Sequence, residues 1–488
     1  MIPTNCATPR DGKHGAMRDP IQYHPSVLEC DMSDHIEVDV LVAGAGACGL
    51  IAALRARELG ARVAVLEKFD RFAGNTVLSC GSIPAAGTRM QREAGITDSV
   101  QSMVDDIERV SGRHDASGLI RPIVERSAEL VEWLVDHCGA EVKLYTNYKH
   151  VGHSIPRLHT QPSGQGLELV NSLAAAAARD GIDIAFGNPV QSLIVDASGA
   201  VTGAHVGAGN ETYTVSAGKT ILATNGYGAN RALLREFCPE IADAQYFGAP
   251  TAEGEAVQWG RAIGAAVGNT GAYQAHASVA YPHGELLTWS AAEKGACYVN
   301  RQGLRFGNEN IGYSGFGALV MAQGNEAYAI YDSRIRDYVA HYQQTYKALV
   351  DMGGAREAAS VSELAALTGI DPANLEKTLA TYNQAARGEI ADPFGRRDFG
   401  MAPLQPPFVV TRVGAALFHT QGGLMVDAGA RVLRPGNAPI PNLFAGGGAA
   451  VGLSGLRGGN GYVSGNGLLT ATVLGYVAGE NCARELGY

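Results

Sequence analysis

Six consecutive residues could grip a dinucleotide: Gly44-Ala45-Gly46-Ala47-Cys48-Gly49, set between an apolar run and an alanine-rich one. Gly44 permits a tight turn, Gly46 lets backbone approach a pyrophosphate, and Gly49 lets a helix pack closely on a strand. The free N–H groups and the dipole at the start of that helix then face an anion. Glu67 follows Gly49 by 18 residues, at the end of a second apolar run, where a carboxylate can bind ribose hydroxyls.

The elements that must position these residues are written around them. Residues 38–68, VDVLVAGAGACGLIAALRARELGARVAVLEK, predict one strand–helix–strand unit. Residues 95–185 read mostly as helices and 186–223 as short strands. Residues 271–419 form a different block, with a strand pair around 296–306 and a helical stretch over 362–388. The last 70 residues return to glycine-rich loops and close with a helix. No 20–50-residue repeat is present.

Composition sets outer limits. A chain of 488 residues exceeds one ordinary domain, so two or more packing units are expected. Apolar residues at 46% and charged residues at 18% fit a packed globular protein rather than a disordered one. The 63 glycines carry no collagen period and predict tight turns and close approaches of backbone to a ligand. A net charge of −10 argues against nucleic-acid binding and against a polybasic membrane anchor. The longest apolar stretch, 40–54, is interrupted by Gly44, Gly46 and Gly49 and is too short to span a bilayer. Residues 1–37 read as a polar tail or surface arm without an apolar signal core. The eight cysteines are scattered, with no CxxC, haem or zinc spacing, so no metal site and a reducing, cytoplasmic compartment are expected.

Further along, residues 74–88 read GNTVLSCGSIPAAGT, 222–230 read LATNGYGAN, and 419–427 read HTQGGLMVD. PIPNLFAGGGAA at 439–450 and GNGLLTATVLGYVAGE at 465–480 follow. In combination these blocks resemble the fumarate reductase / succinate dehydrogenase / 3-ketosteroid dehydrogenase flavoproteins over about residues 38–488. The resemblance implies an α/β fold, a Rossmann-like FAD-binding domain (38–270 and 420–488) interrupted by an α+β capping domain (271–419). It implies FAD contacts at Gly44, Ala45, Gly46, Cys48, Gly49, Glu67, Lys68, Asn75, Thr76, Ser79 and Gly81. Val190, Ala223, Thr224, Asn225, Gly254, Gly447, Gly448, Gly465 and Leu468 complete the implied cofactor set. Members with covalent flavin carry a histidine in the second loop; none stands between residues 69 and 89, so noncovalent FAD is expected. Members often read AGE where this chain has Ala445-Gly446-Gly447-Gly448.

The same resemblance marks residues that could do chemistry. Arg305, in GLRFGNE, matches the fumarate reductases' proposed proton donor; the plain alternative is an arginine salt-bridged to Glu309. The family's upstream Glu and Arg, which relay protons to it, are replaced by Trp289 and Ala292 when Thr288 is aligned with the family threonine. His276 and His419 match the family's two substrate histidines, and both can donate to a carboxylate or carbonyl oxygen. Arg457 lies one residue from the position of the family's carboxylate-binding arginine, where a bidentate clamp would sit. A second set points elsewhere: Tyr462-Val463-Ser464-Gly465 resembles the Y-x-S-G loop of ketosteroid Δ4-dehydrogenases, and Tyr313 a tyrosine of 3-ketosteroid dehydrogenases. A tyrosinate or a Tyr–Ser pair can take an α-proton while flavin N5 takes the β-hydride.

The implied function is therefore a FAD-dependent oxidoreductase acting on a CH–CH or C=C bond beside a carbonyl or carboxylate. The Tyr/Ser set favours dehydrogenation of a ketone, such as a cyclic or steroid-like one, with His276 and His419 shaping the pocket. The Arg/His set favours a fumarate-reductase-like reduction of an unsaturated carboxylate. An electron-transferring flavoprotein subunit and a flavin oxidase are the readings of other classes. A small-molecule substrate and a separate electron acceptor or donor are expected; substrate identity, direction and oligomeric state stay open.

Overall fold

The computed structural model describes residues 35–146 and 149–488. Most of the expected tail, residues 1–34, lies outside the described residues, and 35–37 already belong to a strand. That strand, β1 (His35–Ala43), has its middle fully buried at Val40–Val42, and helix α1 (Ala47–Glu58) follows it after a three-residue turn. Strand β2 (Val63–Glu67) returns parallel to β1, Val40 opposite Val63. This is the strand–helix–strand unit the sequence predicts. Its apolar residues run continuously because a parallel sheet is covered on both faces.

Five parallel strands make the body of the first sheet: 183–186, β2, β1, 211–222 and 439–445. An antiparallel edge strand, 431–433, and a meander over 190–208 complete its eight strands. The C-terminal helix Asn466–Leu486 lies directly on α1. Glycine sets that approach: a Cβ at Gly475 would come within 2.4 Å of Cys48 O, and one at Gly479 within 2.2 Å of Ala52 O. The glycine motif and the last helix are thus one packing unit, although more than 400 residues separate them.

A second, seven-stranded sheet is built mainly from the interval 271–419. Its long strand, Phe408–Thr420, pairs antiparallel with Gly271–Ala280 and with Ala327–Asp332. Gln245–Tyr246 and Arg457–Gly458, outside the interval 271–419, add to the same sheet. The pairing of 271–280 with 408–420 sets Gln274 opposite His419 and His276 opposite Ala416. Both predicted histidines are therefore placed by one strand pair.

Among the described residues, no helix is long and apolar enough to cross a membrane.

Candidate active site

A cavity of about 510 Å³ runs from the glycine turn after β1 to the cap sheet. At its first end the three motif glycines have separate reasons. Gly44 has φ +108°, and a Cβ there would meet Ala223 O at 2.4 Å. At Gly49 a Cβ would fall 1.8 Å from Gly44 O, so any side chain would force α1 off β1. At Gly46 a Cβ would meet nothing within 4 Å: this glycine faces the cavity. Gly46 also caps α1, with no side-chain cap and no acidic residue in the first turn, which leaves the helix start available to an anion.

Glu67 is held at the end of β2 by two backbone donors, Ala45 N to Oε2 at 2.9 Å and Phe69 N to Oε1 at 3.0 Å. Lys68 is ion-paired to Glu253 (2.9 Å) and Glu255 (2.5 Å). The second loop is wired to its neighbours: Asn75 Oδ1 accepts from Ala249 N at 2.6 Å, and Thr76 Oγ1 accepts from Ala47 N at 3.3 Å. Ser79 Oγ donates to Thr76 O at 2.8 Å and accepts from Gly81 N at 3.0 Å. Val190, Ala223, Thr224, Asn225, Gly447, Gly448, Gly465 and Leu468 also line the cavity. Three residues of the implied cofactor set do not line it. Ala45 presents its N–H to Glu67, Gly49 packs against Gly44, and Gly254 caps a helix at φ +81° against Leu233 and Tyr227.

Buried, unpartnered polar atoms on the cavity wall test whether FAD fits. Thr224 Oγ1, Glu255 Oε2 and Gln421 Oε1 have no hydrogen-bond partner among the described residues. Native interiors rarely leave such atoms unsatisfied. A polar cofactor lying from the glycine turn to the cap would reach all three, so the cradle fits the group.

At the other end the cavity brings together five of the seven residues singled out for chemistry: His276, Tyr313 and His419 from the interval 271–419, and Tyr462 and Ser464 from the loop before the C-terminal helix. His276 stacks on Tyr313 with ring centroids 5.0 Å apart and 19° between planes. Tyr313 meets Tyr462 edge-on at 6.0 Å, and Tyr462 meets His419 edge-on at 5.7 Å. The Tyr313 hydroxyl lies 3.5 Å from Ser464 Oγ. Ser278 N donates to His276 Nδ1 at 3.2 Å, which puts the ring proton on Nε2. Trp289 and Phe418 flank His276, at 6.3 Å and 5.9 Å between centroids. Neither of these two aromatic walls, nor Phe247 stacked on Phe418, was singled out from sequence as a site residue; an aromatic at core spacing carries no signal of lining a cavity.

Burial governs the ionisation of this end. It pushes His276 down to about 3 and His419 to about 4, so both are neutral hydrogen-bonding groups at neutral pH. Burial raises both phenols, Tyr313 well above the ordinary tyrosine value. For Tyr462 the backbone N–H groups of Gly467 and Gly465, at the start of the C-terminal helix, oppose that rise.

A stability prediction follows from the histidines. Burial also lowers His150, His153 and His159 to about 4. As pH falls below about 6.5 the unfolded chain takes up protons that these folded histidines refuse. Stability is therefore full above that pH and declines between about 6.5 and 4, by at most about 1.4 kcal/mol per pH unit for each histidine. Thermal unfolding scans should show the midpoint falling through this window; a stability maximum near pH 5 would contradict it.

The structure places the two arginines elsewhere. Arg305 does not line the cavity. Its guanidinium bonds Glu309 through Nε (3.1 Å) and Nη2 (2.7 Å), and Asp392 through Nη1 (2.5 Å). Tyr382 and Phe394 rings cover it at 4.9 Å and 5.2 Å. Arg396 joins the network through Glu309 Oε2 at 3.1 Å. Arg457 is exposed on the strand edge beside Gly271 and does not line the cavity either.

Cradle, sheet and cap define a FAD-dependent oxidoreductase with a cofactor-binding domain and a capping domain. The FAD binding domain family matches residues 39–463, and the chain belongs to that family. It is 30% identical over 455 residues to the fumarate reductase (cytochrome) of Shewanella frigidimarina, covering 92% of this chain and 78% of that protein. It is also similar to the open conformation of a flavocytochrome c3 fumarate reductase, with TM-score 0.77 and 29% identity over 93% of this chain and 79% of the other. A third likeness is to the 3-ketosteroid-Δ4-(5α)-dehydrogenase of Rhodococcus jostii RHA1 in complex with 4-androstene-3,17-dione. There the TM-score is 0.75 at 25% identity, over 92% of this chain and 97% of that one.

Proposed function

We propose that the protein dehydrogenates a ketone at the bond between its α and β carbons. One observation carries this reading. At the His276–Tyr313–Tyr462 end, the described cavity lining holds no arginine or lysine; its one such cation, Lys68, is engaged by two carboxylates. A dicarboxylate needs fixed positive charge to offset the loss of its hydration, whereas a ketone needs only neutral donors and apolar walls. Neutral His276, Tyr313 and Tyr462 are such donors, and Trp289, Phe247 and Phe418 are such walls.

Bound FAD supplies the two-electron acceptor for the β-hydrogen. The chain's residues supply the rest. His276 Nε2–H and a phenol hydroxyl hold the carbonyl oxygen where charge develops. A phenol oxygen of the Tyr313–Tyr462 pair takes the α-proton, having first lost its own proton to bulk water before the cap closes, with the Ser464 hydroxyl as a relay that gives up one proton as it accepts another. The helix N–H groups behind Tyr462 stabilise the phenolate formed. In the reverse direction the neutral phenol returns the proton to the α-carbon. The interval 271–419 acts as the cap that keeps water from this step.

FAD is held noncovalently on this reading, because the second loop offers no histidine. Acid precipitation should leave the yellow colour in the supernatant; colour in the pellet would show a covalent link. The substrate class is tested by titrating oxidised holoenzyme with 4-substituted phenols, planar mimics of an enolate, and separately with succinate and malonate. Phenols should perturb the visible flavin band and dicarboxylates should not. Perturbation by dicarboxylates alone would favour reduction of an unsaturated carboxylate.

A further inference from the structure

We infer that His153 is a positioning residue that holds Ser464, and with it the tyrosine pair, in working register. The inference rests on the ketone-dehydrogenase reading for its activity readout, but not for its structural one. Ser464 stands in a glycine-rich loop, 459–465, between a short strand and the C-terminal helix. Both of its backbone groups are taken by one distant segment. Ser464 N donates to Val151 O at 3.0 Å, and His153 Nε2 donates to Ser464 O at 2.8 Å. A carbonyl only accepts, so the ring proton is on Nε2, and the buried Nδ1 has no hydrogen-bond partner among the described residues. The contact is close along its length: Gly152 has φ +90°, and a Cβ there would lie 2.9 Å from Val463 Cγ1.

The segment that carries His153 is itself fixed. Asp106, on the helix Val100–Ser111, accepts from Ser154 N at 2.7 Å, Ser154 Oγ at 2.6 Å and Arg157 Nη1 at 2.5 Å. Arg157 is 1% exposed and also bonds Asp98 through Nε at 2.7 Å. Arg109 bridges Asp106 at 2.7 Å and Gly152 O at 3.0 Å. His150 and Val151 line the cavity, so one rigidly held segment both forms a wall and grips the reactive loop. The one ring N–H of His153 thus goes to the carbonyl of Ser464, whose hydroxyl faces Tyr313.

Misplacing a reacting group by about 1 Å can cost about 10²-fold in rate. In holoenzyme, His153→Leu should lower kcat about 10- to 100-fold, with KM within about threefold, because the substrate walls remain. His153→Gln, whose amide nitrogen can replace the Nε2 donor, should recover most of that loss. Amide hydrogen exchange supplies a readout independent of substrate: Ser464 should exchange faster in His153→Leu and at the wild-type rate in His153→Gln. The inference is overturned if His153→Leu keeps wild-type kcat and Ser464 protection. It is also overturned if His153→Gln loses activity while Ser464 stays protected, since the ring would then act otherwise than by positioning. Should the leucine variant not fold, the glutamine arm decides alone. Should no ketone react with wild-type enzyme, the exchange arm still decides, and the failure falls on the proposed reaction instead.

Discussion

Tyr462→Phe should lower turnover by about 10²- to 10⁴-fold, the usual contribution of a general acid or base, while FAD stays bound. The substitution removes one hydroxyl and keeps the ring, so the edge-on contacts with Tyr313 and His419 survive. What is lost is the oxygen that the Gly465 and Gly467 N–H groups address. The pH dependence has a fixed sign. Burial raises the phenol, so the base form is scarce at neutral pH and grows with each unit of alkalinity. The kcat for dehydrogenation should rise with pH across the neutral to alkaline range, and for enone reduction it should stay flat, because the neutral phenol is the dominant form throughout. Arg305→Lys gives the contrast: the arginine does not line the cavity, so this variant should keep most of its kcat when folded. Near-normal turnover in Tyr462→Phe beside a dead, folded Arg305→Lys would reverse the assignment.

The largest stability effect should come from Glu309→Gln. Glu309 is 1% exposed and receives Arg305 Nη2 at 2.7 Å, Arg396 Nη1 at 3.1 Å and Tyr298 N at 3.1 Å. Glutamine keeps the shape but removes the charge that two buried guanidinia share. Arg305 would retain Asp392, at 2.5 Å, while Arg396 would be left with backbone carbonyls of Ala292, Ala296 and Asp398. Breaking a buried ion pair from one side typically costs about 3–5 kcal/mol. Urea unfolding should show a loss of this size, with activity per folded molecule largely kept. A loss below about 1 kcal/mol would mean that the network is not what ties the cap together.

Much of the cofactor cradle is legible in sequence because its logic is local. Gly44, Gly46, Gly49 and Glu67 sit within one strand–helix–strand unit, and their spacing is dictated by one turn and one helix length. His276 and His419 could be marked from motifs, but their meeting is set by the register of two strands more than a hundred residues apart. The setting of Arg305 is legible only in part: Glu309 is four residues away and readable, whereas Asp392, which bonds the same guanidinium, is 87 residues away. His153 gave no signal at all, since its partner is the backbone of a residue 311 positions on.

The central claim, oxidation of a neutral ketone rather than reduction of a carboxylate, has one direct measurement. Oxidised holoenzyme is mixed anaerobically with a panel of saturated cyclic and steroid ketones, and with succinate, while absorbance near the usual flavin maximum of about 450 nm is followed. The account predicts bleaching by at least one ketone, loss of that bleaching in Tyr462→Phe, and no response to succinate. Bleaching by succinate alone, or reoxidation of the chemically reduced enzyme by fumarate and by no enone, would contradict it.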